Sequence, residues 1–154
     1  FLEYNDLVTT TTPIAVTSGT SPVKITNDEA GALTNKAHAP NDVTDVWDST
    51  ANEFDWSELS LGDMVDIRVD LEITTTQPNQ EVQTDLRLAL SGFEYTIPFD
   101  RDEFKSAGVK RIVSQIGIYM GDTNTLDNGG YFEVSSDANC DVKVNGWYCK
   151  IIRR

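Results

Sequence analysis

His38 is the only histidine, so any Ser-His-Asp triad would have to use it. It sits in Ala37-His38-Ala39-Pro40, which reads as a loop, and no Gly-x-Ser-x-Gly elbow is present. Nucleophilic hydrolysis is not expected. Paired carboxylates could run glycoside hydrolysis, and Asp45, Asp48, Glu53, Asp55 and Glu58 all qualify. A chain with 25 acids supplies such pairs by chance, so abundance weakens the inference. Trp47 and Trp56 lie among these acids and Trp147 follows later. Indole rings stack on sugars, which makes these three the candidates for glycan contact. The alternative is that they anchor an irregular loop onto a core.

The run from Asp122 to Gly130 looks like a cation loop, with Glu133 at the twelfth place. It fails where Leu126 replaces an oxygen ligand and Asp127 the required glycine. A polar turn between two strands is the better reading. Cys140 and Cys149 cannot form a structural zinc site alone, and His38 is far away in sequence. No phosphate loop or redox cysteine pair is present. The expectation is a protein without catalytic residues, cofactor or metal.

The elements that would position these residues are strands. Val65, Ile67, Val69, Leu71 and Ile73 alternate with Asp66, Arg68, Asp70 and Glu72, the pattern of a half-buried strand. Val82, Leu86, Leu88 and Leu90 mark a second. Phe93, Tyr95, Ile97 and Phe99 mark a third, which Pro98 confines to a sheet edge or ends. Ile112, Ile116, Ile118 and Met120 share one face of a fourth. Phe132 and Val134 mark a fifth, and residues 140–152 hold at least one more. The Thr-rich run Leu7–Val16 is β-branched, Val23 and Ile25 suggest a short strand, and 27–40 reads as a long loop. Asp100 and Glu103 have capping-box spacing with Gly108 as a stop, which allows one short helix at about 101–107.

Asn145-Gly146 permits two arrangements. As a hairpin turn it makes Cys140 and Cys149 diagonal neighbours; as a bulge in one long strand it places them farther apart. Both favour free thiols. Many short strands, frequent turns and almost no helix predict an all-β sandwich or barrel and exclude parallel α/β folds.

The 154-residue chain carries 12 basic and 25 acidic residues. Its net charge of −13 disfavours nucleic acid and anionic membranes as partners. No apolar run approaches the roughly 18 residues of a membrane span. The chain begins at Phe1 without a basic-then-apolar leader, and is expected to be processed, trimmed or the ordered part of a longer protein. Residues 41–72 hold ten acids against Arg68 alone, which suggests a solvated face, a cation site or a basic partner.

Several stretches carry a family likeness. Pro22-Val-Lys-Ile-Thr-Asn-Asp-Glu-Ala-Gly31 leads to Thr34-Asn35 and Pro40, then Val46-Trp47-Asp48. Phe54-Asp-Trp-Ser-Glu-Leu59 continues through Gly62-Asp63 into the alternating strand with Arg68. Tyr119-Met-Gly-Asp122, Phe132-Glu-Val134 and Gly146-Trp147 to Arg153 follow. Over about 20–154 this resembles tailed-bacteriophage virion surface proteins of the tumour-necrosis-factor-like jelly-roll type. The resemblance implies an antiparallel jelly roll, a homotrimer, and a place on the virion surface as head decoration, head fibre or tail-fibre tip. It implies no catalytic residues. Its partners would be the major capsid protein or another virion protein, or a host surface glycan for a tail-fibre tip.

Two segments are expected, an N-terminal arm over 1–20 and a single domain over 21–154. The arm would anchor the protein or add a strand to a neighbour. Val113 and Tyr119 lie on the face opposite Ile112, Ile116 and Ile118, and the adjacent Ile151 and Ile152 point to opposite faces. The less acidic half, 78–154, holds Lys105, Lys110 and Arg111 close together, so Lys110 and Arg111 join Val113, Tyr119 and Ile152 as the candidate partner-binding residues.

Overall fold

The computed structural model describes residues 12–26 and 35–154, together with the backbone of Leu2–Tyr4. The strands are β1 (Leu2–Tyr4), β2 (Ile14–Val16), β3 (Val23–Lys24), β4 (Trp47–Asp48), β5 (Glu53–Phe54), β6 (Met64–Thr75), β7 (Gln80–Leu88), β8 (Tyr95–Phe104), β9 (Gly108–Tyr119), β10 (Gly130–Ser136) and β11 (Cys140–Ile152). A one-turn helix, α1 (Thr123–Asp127), precedes β10. Among the described residues the strands form two antiparallel sheets. One runs β1-β11-β6-β9 with β2 also on β11; the other runs β4-β5-β10-β7-β8 with β3 also on β10. β6 and β9 pair in the first sheet, while the intervening β7 and β8 pair in the second. β10 then adds to β7 and β11 to β6. This wrapping is a jelly-roll sandwich.

Alternation decides which side chains fill the interior. The odd-numbered residues Val65 to Ile73 of β6 are all buried and face Val82, Leu86 and Leu88 of β7 and Phe132 and Val134 of β10. The long strand β11 needs one correction of phase. Val144 pairs with Leu71 and Gly146 with Asp70, so Asn145 is the extra residue of a bulge. Before it Val142 and Val144 point inward; after it Trp147 and Cys149 do. Asn145-Gly146 is thus a bulge and not a hairpin turn. Both cysteines are free and buried.

Pro98 lies in β8, which is an edge strand, as its missing donor requires. A bulge between Thr84 and Asp85 adjoins it. The helix expected at 101–107 does not form. Arg101 to Phe104 instead pair with Gln83 to Gln80 of β7, where Phe104 packs against the core. Asp100 bonds the Ser114 hydroxyl of β9 rather than capping a helix. Gly108, at φ +117°, opens the second strand of the β8–β9 hairpin rather than stopping a helix.

The helical turn lies instead at the segment expected to be a polar loop. Asp122 is its N-cap, accepting from the Thr125 amide at 2.9 Å. Of the expected arm, Leu2–Tyr4 and Ile14–Val16 both pair with this chain's own β11, so they extend its own sheet. Residues 5–11, and 27–34 of the expected long loop, lie outside the described residues.

Candidate functional site

The acidic stretch is built into backbone with little ladder to support it. From residue 35 to the start of β6 the chain makes turns around the two-residue strands β4 and β5, and carboxylates take the place of ladder acceptors. Glu58 accepts from the amides of Thr44 and Asp45. Asp45 accepts from Val46 and Trp47, Asp48 from Thr50 and Ala51, and Asp55 from Ser57. Asp63 accepts from Ser60 at 2.8 Å and from Arg154 at 3.2 Å. Five carboxylates thereby satisfy nine backbone amides. Lys36 additionally pairs with Asp45, Lys24 with Glu53, and Arg153 with both Asp42 and Asp63. Carboxylates tied to amides in this way act as framework. Among the described residues no group of three or more potential metal ligands converges.

Asp63 is the centre of that framework. It is 2 % exposed, and its carboxylate joins the Leu59–Gly62 turn to the C-terminal Arg153 and Arg154. Burial alone would raise its pKa. The Ser60 amide, the Arg153 guanidinium and the Arg154 amide outweigh burial and hold it below the ordinary aspartate range. Gly62, at φ +97°, allows the turn, and its α-carbon lies against the Arg154 side chain.

The three tryptophans are core residues, which removes them as glycan-stacking candidates. Trp47 is 5 % exposed, Trp147 1 %, and Trp56 is fully buried. Phe54 organises them. It stacks on Trp56 at 4.9 Å and meets Trp47, Trp147 and Phe132 edge-on at 4.8, 5.7 and 5.9 Å. The loop carrying Trp47 and Trp56 is therefore anchored onto the sandwich by its aromatic rings.

The candidate partner-binding residues fall on or beside β9. Val113 and Tyr119 are 50 % and 61 % exposed in the outward row of this strand. Tyr119 pairs with Met64, which pairs with Ile152, so Tyr119 and Ile152 share one cross-strand row. Ile151 points inward against the core and Ile152 outward, as adjacent strand residues must. Lys110 bonds the Ser106 hydroxyl at 2.9 Å. Arg111 is committed within the chain. Its guanidinium grips Asp70 through two nitrogens, and Asn145 also donates to Asp70. The Arg111 hydrogen bond, set against burial, keeps the Asp70 pKa below its usual range.

Nothing in the sequence marks Phe93 as a surface residue, since it continues the alternation of Tyr95, Ile97 and Phe99. β8 begins only at Tyr95, and Phe93 stands 88 % exposed in the preceding loop. That loop is held to α1. The Phe93 amide donates to Asn124 Oδ1 at 2.8 Å, and Asn124 Nδ2 donates back to the Phe93 carbonyl at 3.0 Å. The Tyr95 and Thr125 hydroxyls bond at 2.8 Å.

β8 and β9 are the terminal strands of their sheets and together form one side of the sandwich. Among the described residues the exposed large hydrophobics are Leu61, Phe93, Tyr95, Val109, Val113, Tyr119 and Ile152, and five of these seven lie between Phe93 and Tyr119. Ile97, Phe99, Phe104 and Ile116 face the core there but stay half-buried. On the opposite side the described residues Val16, Trp47 and Phe54 are buried. The β8–β9 side therefore presents a row of exposed and half-buried apolar side chains. No family model matches the chain, and a search of curated proteins finds no match.

Proposed function

We propose that this chain is a non-enzymatic bacteriophage virion structural protein, a capsid decoration or head-fibre component that acts as a trimer. The observation that carries this reading is the incompletely covered β8–β9 side. A sandwich with one apolar side left half-open gains stability when a symmetric neighbour covers it. The jelly-roll topology agrees with the family likeness of the sequence. The engagement of Asp45, Asp48, Asp55 and Glu58 with backbone amides favours a framework role for the acids over a general acid and base pair. Burial of all three tryptophans takes away the residues on which a glycan-binding tail-fibre tip depended.

Light scattering at low concentration tests the trimer. A mass near three times the 17.1 kDa chain is expected. Co-sedimentation with purified phage heads tests the location. Saturable binding in multiples of three is expected, and a monomer that binds no particle would refute the proposal.

A further inference from the structure

We propose that the outer face of the sheet formed by β11, β6 and β9 carries a binding site for a carboxylate-bearing sugar, held by Arg68, Lys150, Asp66, Gln115 and Tyr148. The site is complete within one chain and uses none of the three buried tryptophans. It stands apart from the trimer reading.

The pairing register brings the five side chains together. Gln115, Arg68 and Tyr148 form one cross-strand row on the outward face, and Gly117, Asp66 and Lys150 form the next. The five line a depression of about 260 Å³. That is below the roughly 300–1,000 Å³ of pockets for drug-sized ligands and leaves room for a single sugar residue. Gly117 shapes one end of it. An added Cβ there would lie 2.4 Å from Met64 Cε and 2.9 Å from Asp66 Oδ1, so both side chains lie over the glycine. Asp66 is thereby held toward β9 and away from Lys150. A glycine inside a strand often marks such a close approach.

What distinguishes the depression is charge left unpaired. Eight of the twelve bases form ion pairs with carboxylates of this chain. Lys143 and Glu72 face each other across β11 and β6 and meet at 3.5 Å. Lys150 and Asp66 stand in the same relation on the same two strands, yet they form no ion pair. The Arg68 guanidinium lies over the Tyr148 ring, 4.4 Å from its centroid, which orients the group and leaves its edge for a ligand. Asp70, the next acid along β6, is gripped by Arg111 and Asn145. Among the described residues Arg68 and Lys150 have no carboxylate partner, and the Asp66 carboxylate and Gln115 amide make no hydrogen bond.

These groups define the ligand. The planar fork of Arg68 suits a carboxylate, and Lys150 adds a second positive charge. Asp66 in the depression, and Glu3 opposite Tyr148 in the β1 register, disfavour a more highly charged anion such as phosphate. Asp66 only accepts hydrogen bonds, while Gln115 both donates and accepts, so together they match hydroxyl groups. The adjoining row of Tyr119, Met64 and Ile152 is apolar, with Tyr119 and Ile152 exposed, and offers a surface for the C–H face of a ring. One carboxylate with several hydroxyls on a ring is an acidic sugar.

The experiment is an amide chemical-shift titration of the whole chain at low salt, where charge contacts are least screened. The probes are glucuronate, N-acetylneuraminate, glucose and acetate. At least one of the two acidic sugars should shift the amides of Arg68, Gln115, Tyr148 and Lys150 with a millimolar dissociation constant. Glucose and acetate should bind at least about tenfold more weakly, since each lacks one half of the contacts. Arg68→Ala should weaken the acidic sugar at least about tenfold, and Lys150→Ala should weaken it by a smaller factor. Asp66→Asn separates a sugar from a plain anion, because it should weaken the acidic sugar and strengthen acetate. Lys110→Ala removes a base outside the depression and should change nothing. Circular dichroism verifies the fold of each variant. No shift with either acidic sugar, binding of glucose or acetate as tight as theirs, or wild-type affinity in both Arg68→Ala and Lys150→Ala would each overturn the inference. None of these outcomes bears on the mass of the assembly.

Discussion

Replacing Asp63 by Asn changes one atom, yet it should be among the most damaging polar substitutions in the molecule. The carboxylate is 2 % exposed and serves the Ser60 amide, the Arg154 amide and the Arg153 guanidinium. The asparagine keeps one acceptor oxygen and turns an NH2 group toward donors. One charge-assisted bond is lost, at about 1.5–3 kcal/mol, and one donor is left facing a donor, at about 1–3 kcal/mol. The sum, roughly 2.5–6 kcal/mol, brackets the ~3–5 kcal/mol cost of breaking a buried ion pair. In a domain of this size that lowers Tm by roughly 5–24 °C. The sign with pH follows from the lowered pKa of Asp63. Its contribution is fully present above the ordinary carboxylate pKa of about 3.9 and is lost as pH falls through the lower folded value. Urea unfolding of both proteins from pH 7 to pH 2.5 measures this. The difference should be largest at neutral pH and shrink at the acid end. A cost below about 1 kcal/mol, or one unchanged by pH, would refute the assignment of Asp63 as the tie between turn and C-terminus.

Cys149 is buried and its pKa is pushed up to about 12, while burial also raises that of Cys140, so neither thiol should react with Ellman's reagent at pH 8 until urea releases both. Asp102 faces inward at the half-covered side, and burial, then the neighbouring Asp100, raises its pKa. Ionised in the fold it opposes folding above that raised pKa, so Asp102→Asn should stabilise the protein at pH 7 and lose that advantage by pH 3, as thermal unfolding would show. Gly129 sits at φ +60° with its α-carbon against the Phe54 carbonyl, and Gly129→Ala should cost at least about 1 kcal/mol from the backbone conformation alone. A stability equal to wild type in chemical denaturation would contradict this.

What was legible in the sequence was whatever period two dictates. The β6 alternation fixes a wet face and a buried face without reference to any other residue, and Pro98 declares an edge because it lacks a donor. The β11 bulge left a trace as well, since Val142 and Val144 are even-numbered and Trp147 and Cys149 odd. The helix was misplaced because a capping box is a three-residue spacing. Asp100 and Glu103 have that spacing, but Phe104 must reach the core and Arg101 to Phe104 must pair with β7. Asp122 had a lesser pattern and a free segment on which to use it. Phe93 was unreadable as a surface residue because alternation does not tell where a strand begins. The roles of the tryptophans depended on Phe54, whose ring contacts with Phe132 and Trp147 bring in distant strands.

The concentration of acids in residues 42–63 follows from the irregular backbone there. A ladder satisfies amides with carbonyls, and from 42 to 63 the chain has only β4 and β5, each two residues long. Buried or half-buried amides still need acceptors, and each carboxylate offers two oxygens with several lone pairs. Aspartate suits the task because its short side chain reaches amides one to three residues along the chain. Asp45, Asp48 and Asp55 all do this, whereas Glu58 and Asp63 reach across to other segments. The consequence is a surplus of negative charge on the loops that hold the aromatic core. Residues 93–121 do not share that surplus, since Glu94, Asp100, Asp102 and Glu103 are balanced there by Arg101, Lys105, Lys110 and Arg111. The framework chemistry of one part of the chain thereby sets where its negative charge lies.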